Sequence, residues 1–410
     1  MSDIQAANHI VANRVVPGTK SNYRGKVNTI ILYCISRPDH DSLFNERNDL
    51  ICPLPADVVK ALFGWLSTNT DLPKKKGGIR RNNQSEDDEE EEDDEDSDVD
   101  DTAFGRNDVT ISFSCMQGYK SALLWYYGEY SVYIDSELNN WCDDFIDGYK
   151  KTVADKKSRG VMSITEGKSP LSISGFIGIC NFLVSFQLEN KKFTWNLISF
   201  GWLFMTITWN LIGRSNSVGH IMLQHIDWSQ DCLKIKLAKH KGDQKGEGIG
   251  NDKHIYSNPL NPAICVITAL AIYTFSKYRG RNITRQQLFD GKDPEGRFGK
   301  FLAKILRLMV KANIAIDLGA IIQDLGTHSN RKGAATYLLG IFMLSAVNVY
   351  LRAGWSLGNV QDRYIFAGSG GDEIIGRAVS GLPVTDMRFA TLPPHFSDGD
   401  IKILSQIGKQ

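Results

Sequence analysis

The chain lacks the features that mark several protein classes. Its seven cysteines, at positions 34, 52, 115, 142, 180, 232 and 265 of 410 residues, never form a Cys-x-x-Cys pair. That scatter argues against a disulfide framework and zinc-ligand spacing, and it fits a reducing compartment. No apolar run is long enough to span a bilayer. The most apolar window, Leu197 to Ile212, is interrupted by Ser, Thr, Asn and Gly and reads as a buried helix. The N-terminus shows no basic stretch followed by an apolar run, so no secretory signal is expected.

Net charge is also missing, with 47 Lys plus Arg against 47 Asp plus Glu. The balance hides a segregation. Residues 86–101 hold fourteen acidic side chains and no basic one. Outside them 47 basic residues face 33 acidic, and from Lys150 onward 33 face 19. A basic C-terminal half beside a detachable acidic block suggests a polyanionic partner.

The periodicity that is present is mostly helical. Residues 1–20 are polar and read as a mobile stretch. A helical domain is expected over 21–160, with patterns such as "ADVVKALFGWL" at 56–66 and "MQGYKSALLWYYGEY" at 116–130. It is interrupted by 74–105, where so many like charges cannot pack and a disordered loop is expected. The basic start of that loop, Lys74, Lys75, Lys76, Arg80 and Arg81, reads either as a nuclear localisation signal or as a flank balancing the acid run. Gly, Ser and Pro mark a boundary at 156–172. The second domain, 170–390, should contain helices near 172–187, 193–213, 261–279, 297–313, 329–344, 346–353 and 358–366, ahead of a tail at 391–410. Between them Leu233, Ile235 and Leu237 alternate with Lys234 and Lys236 as a strand, and "KHIYS" offers the return strand. The fold class is mainly α with a small β-sheet or hairpin.

Four places in the basic half strand polar residues among apolar ones. Arg214 follows "WNLIG"; Lys239, Lys241 and Lys245 crowd the hairpin turn. His328 and Arg331 open the helix "THSNRKGAATYLLG", with Thr327 and Ser329 as N-cap candidates. "RAGWSLGNVQDRYIF" places Trp355 nine residues before Tyr364. These residue types suit phosphoryl transfer without a metal. Two guanidiniums can hold the nonbridging oxygens of a phosphodiester. A hairpin lysine can protonate the leaving oxygen, a histidine can relay a proton, and a tyrosine hydroxyl can attack.

The order Arg214, hairpin lysine, His328-x-x-Arg331, Trp355, Tyr364 resembles the tyrosine recombinase/integrase superfamily over about 190–385, and 20–160 resembles its helical core-binding (SAM-like) domain. The wording "THSNRKGAATYL", "RAGWS", "DRY" and "GRAVSGLP" is most similar to eukaryotic Crypton-type recombinases of mobile elements. The resemblance implies that Arg214 and Arg331 clamp the scissile phosphate of double-stranded DNA. Lys241, or else Lys239 or Lys245, would be the general acid, and His328 would assist proton movement. Trp355 would donate its indole N–H or pack against the site, and Tyr364 would attack to give a 3′-phosphotyrosyl link. It further implies DNA recombination or integration, no cofactor and no metal, and a homotetramer on DNA. The basic cluster Lys74, Lys75, Lys76, Arg80 and Arg81 offers a nuclear location, and no membrane association is expected. Ser217 stands where the family often has an acidic residue. Two other readings share the residues: a domesticated, non-catalytic DNA-binding protein of this fold, and a type IB topoisomerase, whose large clamp domain the chain does not offer.

Deleting residues 86–101 is expected to leave the melting temperature nearly unchanged and to strengthen binding to duplex DNA, because a polyanion that cannot pack competes only for the basic surface. Thermal unfolding and a DNA titration of the deletion variant measure both.

Overall fold

The computed structural model describes residues 17–68, 111–162, 164, 167–185, 193–229, 231–237, 252–277, 286–314, 316–340, 344–355 and 371–383. The loop expected at 74–105, the hairpin turn and the helix expected at 358–366 lie outside these residues. The chain divides into two compact units, Met1–Glu166 and Gly167–Gln410. Among the described residues no helix is long and apolar enough to cross a membrane. All seven cysteines are free.

Among its described residues the first unit has the α-helices α1 (Pro17–Ile35), α2 (Ala56–Thr68), α3 (Phe113–Glu129) and α4 (Ser136–Ser158). Residues 17–20, expected in the mobile N-terminal stretch, are the first turn of α1, where Pro17 is pre-set for helix entry. Ser112 and Asp135 cap α3 and α4 by accepting from backbone N–H groups. Apolar faces meet in a core of Val59, Leu62, Phe63, Leu123, Tyr127 and Cys142. The buried phenols are satisfied: Leu54 N–H donates to Tyr127 Oη at 2.9 Å, and Tyr149 Oη donates to the Ile111 carbonyl at 2.7 Å.

The second unit is built around one helix. After α5 (Ile173–Val184) comes α6 (Trp195–Leu211), in which every residue from Ile198 to Leu211 is buried. A helix apolar on all sides must be surrounded. Helices α8 (Val266–Lys277), α9 (Pro294–Lys311) and α10 (Thr327–Gly340) pack against it, as does α5. Trp209 stacks on Phe176 at 4.2 Å and Phe204 on Phe298 at 4.4 Å. Several of the helix's polar groups are answered: Thr206 and Thr208 donate to carbonyls one turn back, and Trp202 donates to the distant Ala263 carbonyl. The Trp209 indole N–H, by contrast, is buried without a hydrogen-bond partner among the described residues.

Short α7 (Ser215–Gly219) follows α6, and then a three-stranded antiparallel sheet of β1 (Ile226–Ser229), β2 (Cys232–Lys236) and β3 (Asp252–Ile255), in the order β1-β2-β3. The expected strand and its return strand pair with Ile235 opposite Lys253. The first strand went unread, because "IDWS" is too short to show alternation. Helices α11 (Ala346–Ala353) and α12 (Asp372–Val379) close the unit against α10.

Gly333, in the middle of α10, lets that helix approach the backbone of residue 171. A Cβ there would sit 2.0 Å from the Leu171 carbonyl oxygen, which cannot swing away. Gly333→Ala is therefore expected to destabilise the fold by about 2 kcal/mol or more. Gly340→Ala, with open space at the same helix's end, should be neutral or stabilising by about 0.5 kcal/mol. Urea unfolding of the two variants compares them directly.

Candidate active site

Arg214 is delivered by a strained turn. Helix α6 ends with Ile212 in the left-handed region, at φ 48° and ψ 36°, and the Ile212 and Gly213 N–H groups close the helix on the Thr208 and Trp209 carbonyls. A β-branched residue pays on the order of 1–2 kcal/mol for that conformation. Ile212 is fully buried, and its packing holds the turn. Arg214 then stands half-buried at the entrance of α7, its guanidinium made less basic by burial.

Arg331 reaches the same pocket from the first turn of α10. That turn is fixed by its neighbours: Asn330 donates to the Met205 carbonyl at 2.8 Å, and the Ser329 carbonyl accepts from Leu171 N–H. The helix begins at Thr327. Ser329 lies inside it, its hydroxyl accepting from Gly326 N–H at 3.0 Å. Arg331 is buried, donates Nη2 to the Ala353 carbonyl at 2.7 Å, and lies 5.2 Å over the Trp355 ring. Burial, with the like charge of Arg214, pulls its pKa down to about 10. Among the described residues no carboxylate counters either of these two guanidiniums.

Trp355 is set by Gly354, whose φ of 65° ends α11, and by an edge contact with the Tyr350 ring at 5.1 Å. His328 shares the first turn of α10 but is exposed, and it is not part of the pocket wall. Leu237, just after β2, does line that wall. The structure thus brings together Arg214, Arg331 and Trp355. Lys239, Lys241, Lys245 and Tyr364 lie outside the described residues.

The pocket has members the sequence reading missed. Arg352, from α11, is fully buried and donates to the Asn210 and His254 carbonyls and to Asp372 Oδ1 at 2.7 Å. Asp372, at the start of α12, accepts on Oδ2 from the backbone N–H of His254 at 2.9 Å and bonds its Nδ1 at the same distance. The signal was present: Arg352 sits in "VYLRAGW" as Arg214 sits in "WNLIGR", a charge inside an apolar helical run. Lys253, on β3, is buried as well.

Neither a family model nor a curated protein matches the chain. Solved structures similar to it include the XerH site-specific recombinase bound to difH substrate in a pre-cleavage complex, at 13% identity and a TM-score of 0.36. That match covers 61% of this chain and 61% of the XerH chain. The FLP recombinase–Holliday junction complex I is similar at 12% identity and a TM-score of 0.36, over 68% of this chain and 66% of that one. A Flpe mutant–DNA Holliday junction complex follows at 11% and 0.39, over 71% and 79%.

Asp372 sets the acid stability of this region. Burial alone would raise its pKa, but the Arg352 charge, the His254 hydrogen bonds and the Lys253 charge hold it well below the usual carboxylate range. A carboxylate depressed in the folded state stabilises above its unfolded pKa, near 4, and that stability is lost as pH falls below it. Asp372→Asn should cost about 3–5 kcal/mol at pH 7 by stranding Arg352. It should also flatten the fall in stability between pH 5 and pH 3, as followed by urea unfolding.

Proposed function

We propose that the chain is a DNA strand-transfer enzyme of the tyrosine recombinase type. One observation supports this best: Arg214 and Arg331 turn two guanidiniums into one largely buried pocket with no carboxylate of the described residues acting on either. Like charges brought together out of water call for an anion between them. A phosphodiester fits, since each guanidinium can donate two parallel hydrogen bonds to its nonbridging oxygens.

On this reading the Tyr364 hydroxyl attacks the phosphorus held there. The Tyr364 oxygen bonds to phosphorus as the bond to the 5′ oxygen breaks, and the two arginines stabilise the extra charge on the pentavalent species. Lys241, or else Lys239 or Lys245, gives its proton to the departing 5′ oxygen, and His328, exposed in the first turn of α10, assists by relaying the tyrosine's proton to solvent. Trp355 keeps the Arg331 guanidinium in place through its ring face. A second strand's 5′-hydroxyl reverses the step, so bond energy is conserved and neither metal nor cofactor is needed. On the same reading the helical unit at 21–160 is a core-binding domain, and the chain acts as a homotetramer on double-stranded DNA in the nucleus. It descends from a Crypton-type mobile element.

A nicked suicide substrate tests the reaction, because the cleaved end diffuses away and the covalent complex accumulates. Wild type should form it, Tyr364→Phe should not, and Arg331→Ala should lose about 100-fold or more. Lys241→Ala should recover on a substrate with sulfur at the 5′ leaving position, which departs without a proton. A wild-type chain that binds duplex DNA and never links to it is instead the non-catalytic binding protein of this fold.

A further inference from the structure

Strand alternation turns Lys253 inward. In β3 the side chains of Lys253 and Ile255 face the core, while Asp252 and His254 face away. Lys253 is 3% exposed, donates Nζ to the Leu351 carbonyl at 3.2 Å, and lines the same pocket as Arg214 and Arg331. Among the described residues no carboxylate is bonded to it. Both oxygens of Asp372 are taken by Arg352 and His254, and Asp252 pairs with Lys234 at 2.7 Å. A lysine needed only for packing would be better replaced by an apolar side chain, since an ammonium buried beside guanidiniums is costly.

We propose that Lys253 is the third cation of the anion pocket, engaged by the phosphodiester that Arg214 and Arg331 bind. This rests on the phosphodiester reading of the pocket. Arg331 approaches from α10, Arg352 from α11, Asp372 from α12 and Arg214 from the turn after α6. Among the described residues the carboxylates acting on Lys253 are Asp372, bonded to Arg352, and Asp252, paired with Lys234. Titration follows from the same arrangement. Burial, with the charges of Arg352 and Arg331, draws the Lys253 pKa down to about 8 against the pull of Asp372 and Asp252. A phosphate anion in the pocket favours the charged form, so binding above pH 8 takes up a proton at Lys253 Nζ.

Calorimetric titration of the full chain with duplex DNA at pH 8.5, in two buffers of different ionisation enthalpy, reads that proton. Wild type should take up a substantial fraction of a proton per chain. Lys253→Arg should bind within about threefold and take up none from this site. Lys253→Met should lose the uptake and bind at least tenfold more weakly at pH 7. The same comparison with sulfate, which does not titrate in this range, separates the two readings: sulfate-linked uptake without DNA binding removes the DNA reading and keeps Lys253 in the pocket. Equal uptake by wild type and Lys253→Arg with both probes overturns the proposal. So does a folded Lys253→Met variant that binds as wild type does. If Lys253→Met fails to fold, the arginine comparison alone decides.

Discussion

The pocket depends on one buried carboxylate. Asp372 joins Arg352 of α11 to His254 of β3, and Arg352 in turn holds the Asn210 carbonyl at the end of α6. Four elements that are distant in sequence are thereby fixed around one point. Ser380 adds a further tie, donating its hydroxyl to Asn210 Oδ1 at 2.7 Å. In a low-dielectric interior a fully satisfied network of this kind rigidifies its surroundings, whereas a half-satisfied one would be worse than none. The rigidity matters because Ala353, the neighbour of Arg352, supplies the carbonyl that orients Arg331.

Around that neutralised pair, positive charge is left over. Arg352 is saturated by its partners, but Arg214 and Arg331 are not countered by any described carboxylate, and Lys253 donates to a carbonyl with no described carboxylate bonded to it. Charge of one sign collected out of water is a cost to folding that binding of an anion offsets. The strained Ile212 is a second such cost, borne where the chain turns to present Arg214. Both lie at the pocket wall.

Much of this was legible in the sequence. The apolar window 197–212 announced the central helix, alternation at 233–237 announced the sheet, and Arg214, Arg331 and Trp355 stood out as polar or aromatic interruptions. What escaped was whatever depends on partners far along the chain. Asp372 looks like an ordinary helix-start acid until Arg352 and His254 are seen beside it. Lys253 looks like a solvated strand lysine until the pleat shows which face it occupies, and period two alone cannot say which face is inside. His328 had the opposite fate. It opens the same helix as Arg331, yet the helix turns Arg331 into the core and leaves His328 exposed.

The central claim is that this pocket holds a phosphodiester for attack by a tyrosine of the same chain. Mass spectrometry of the DNA-linked peptide, after digestion of chain trapped on a suicide substrate, reads it most directly. The account predicts a single adduct at Tyr364, joined through a 3′ phosphate. An adduct on another residue, or one joined through a 5′ phosphate, would contradict it.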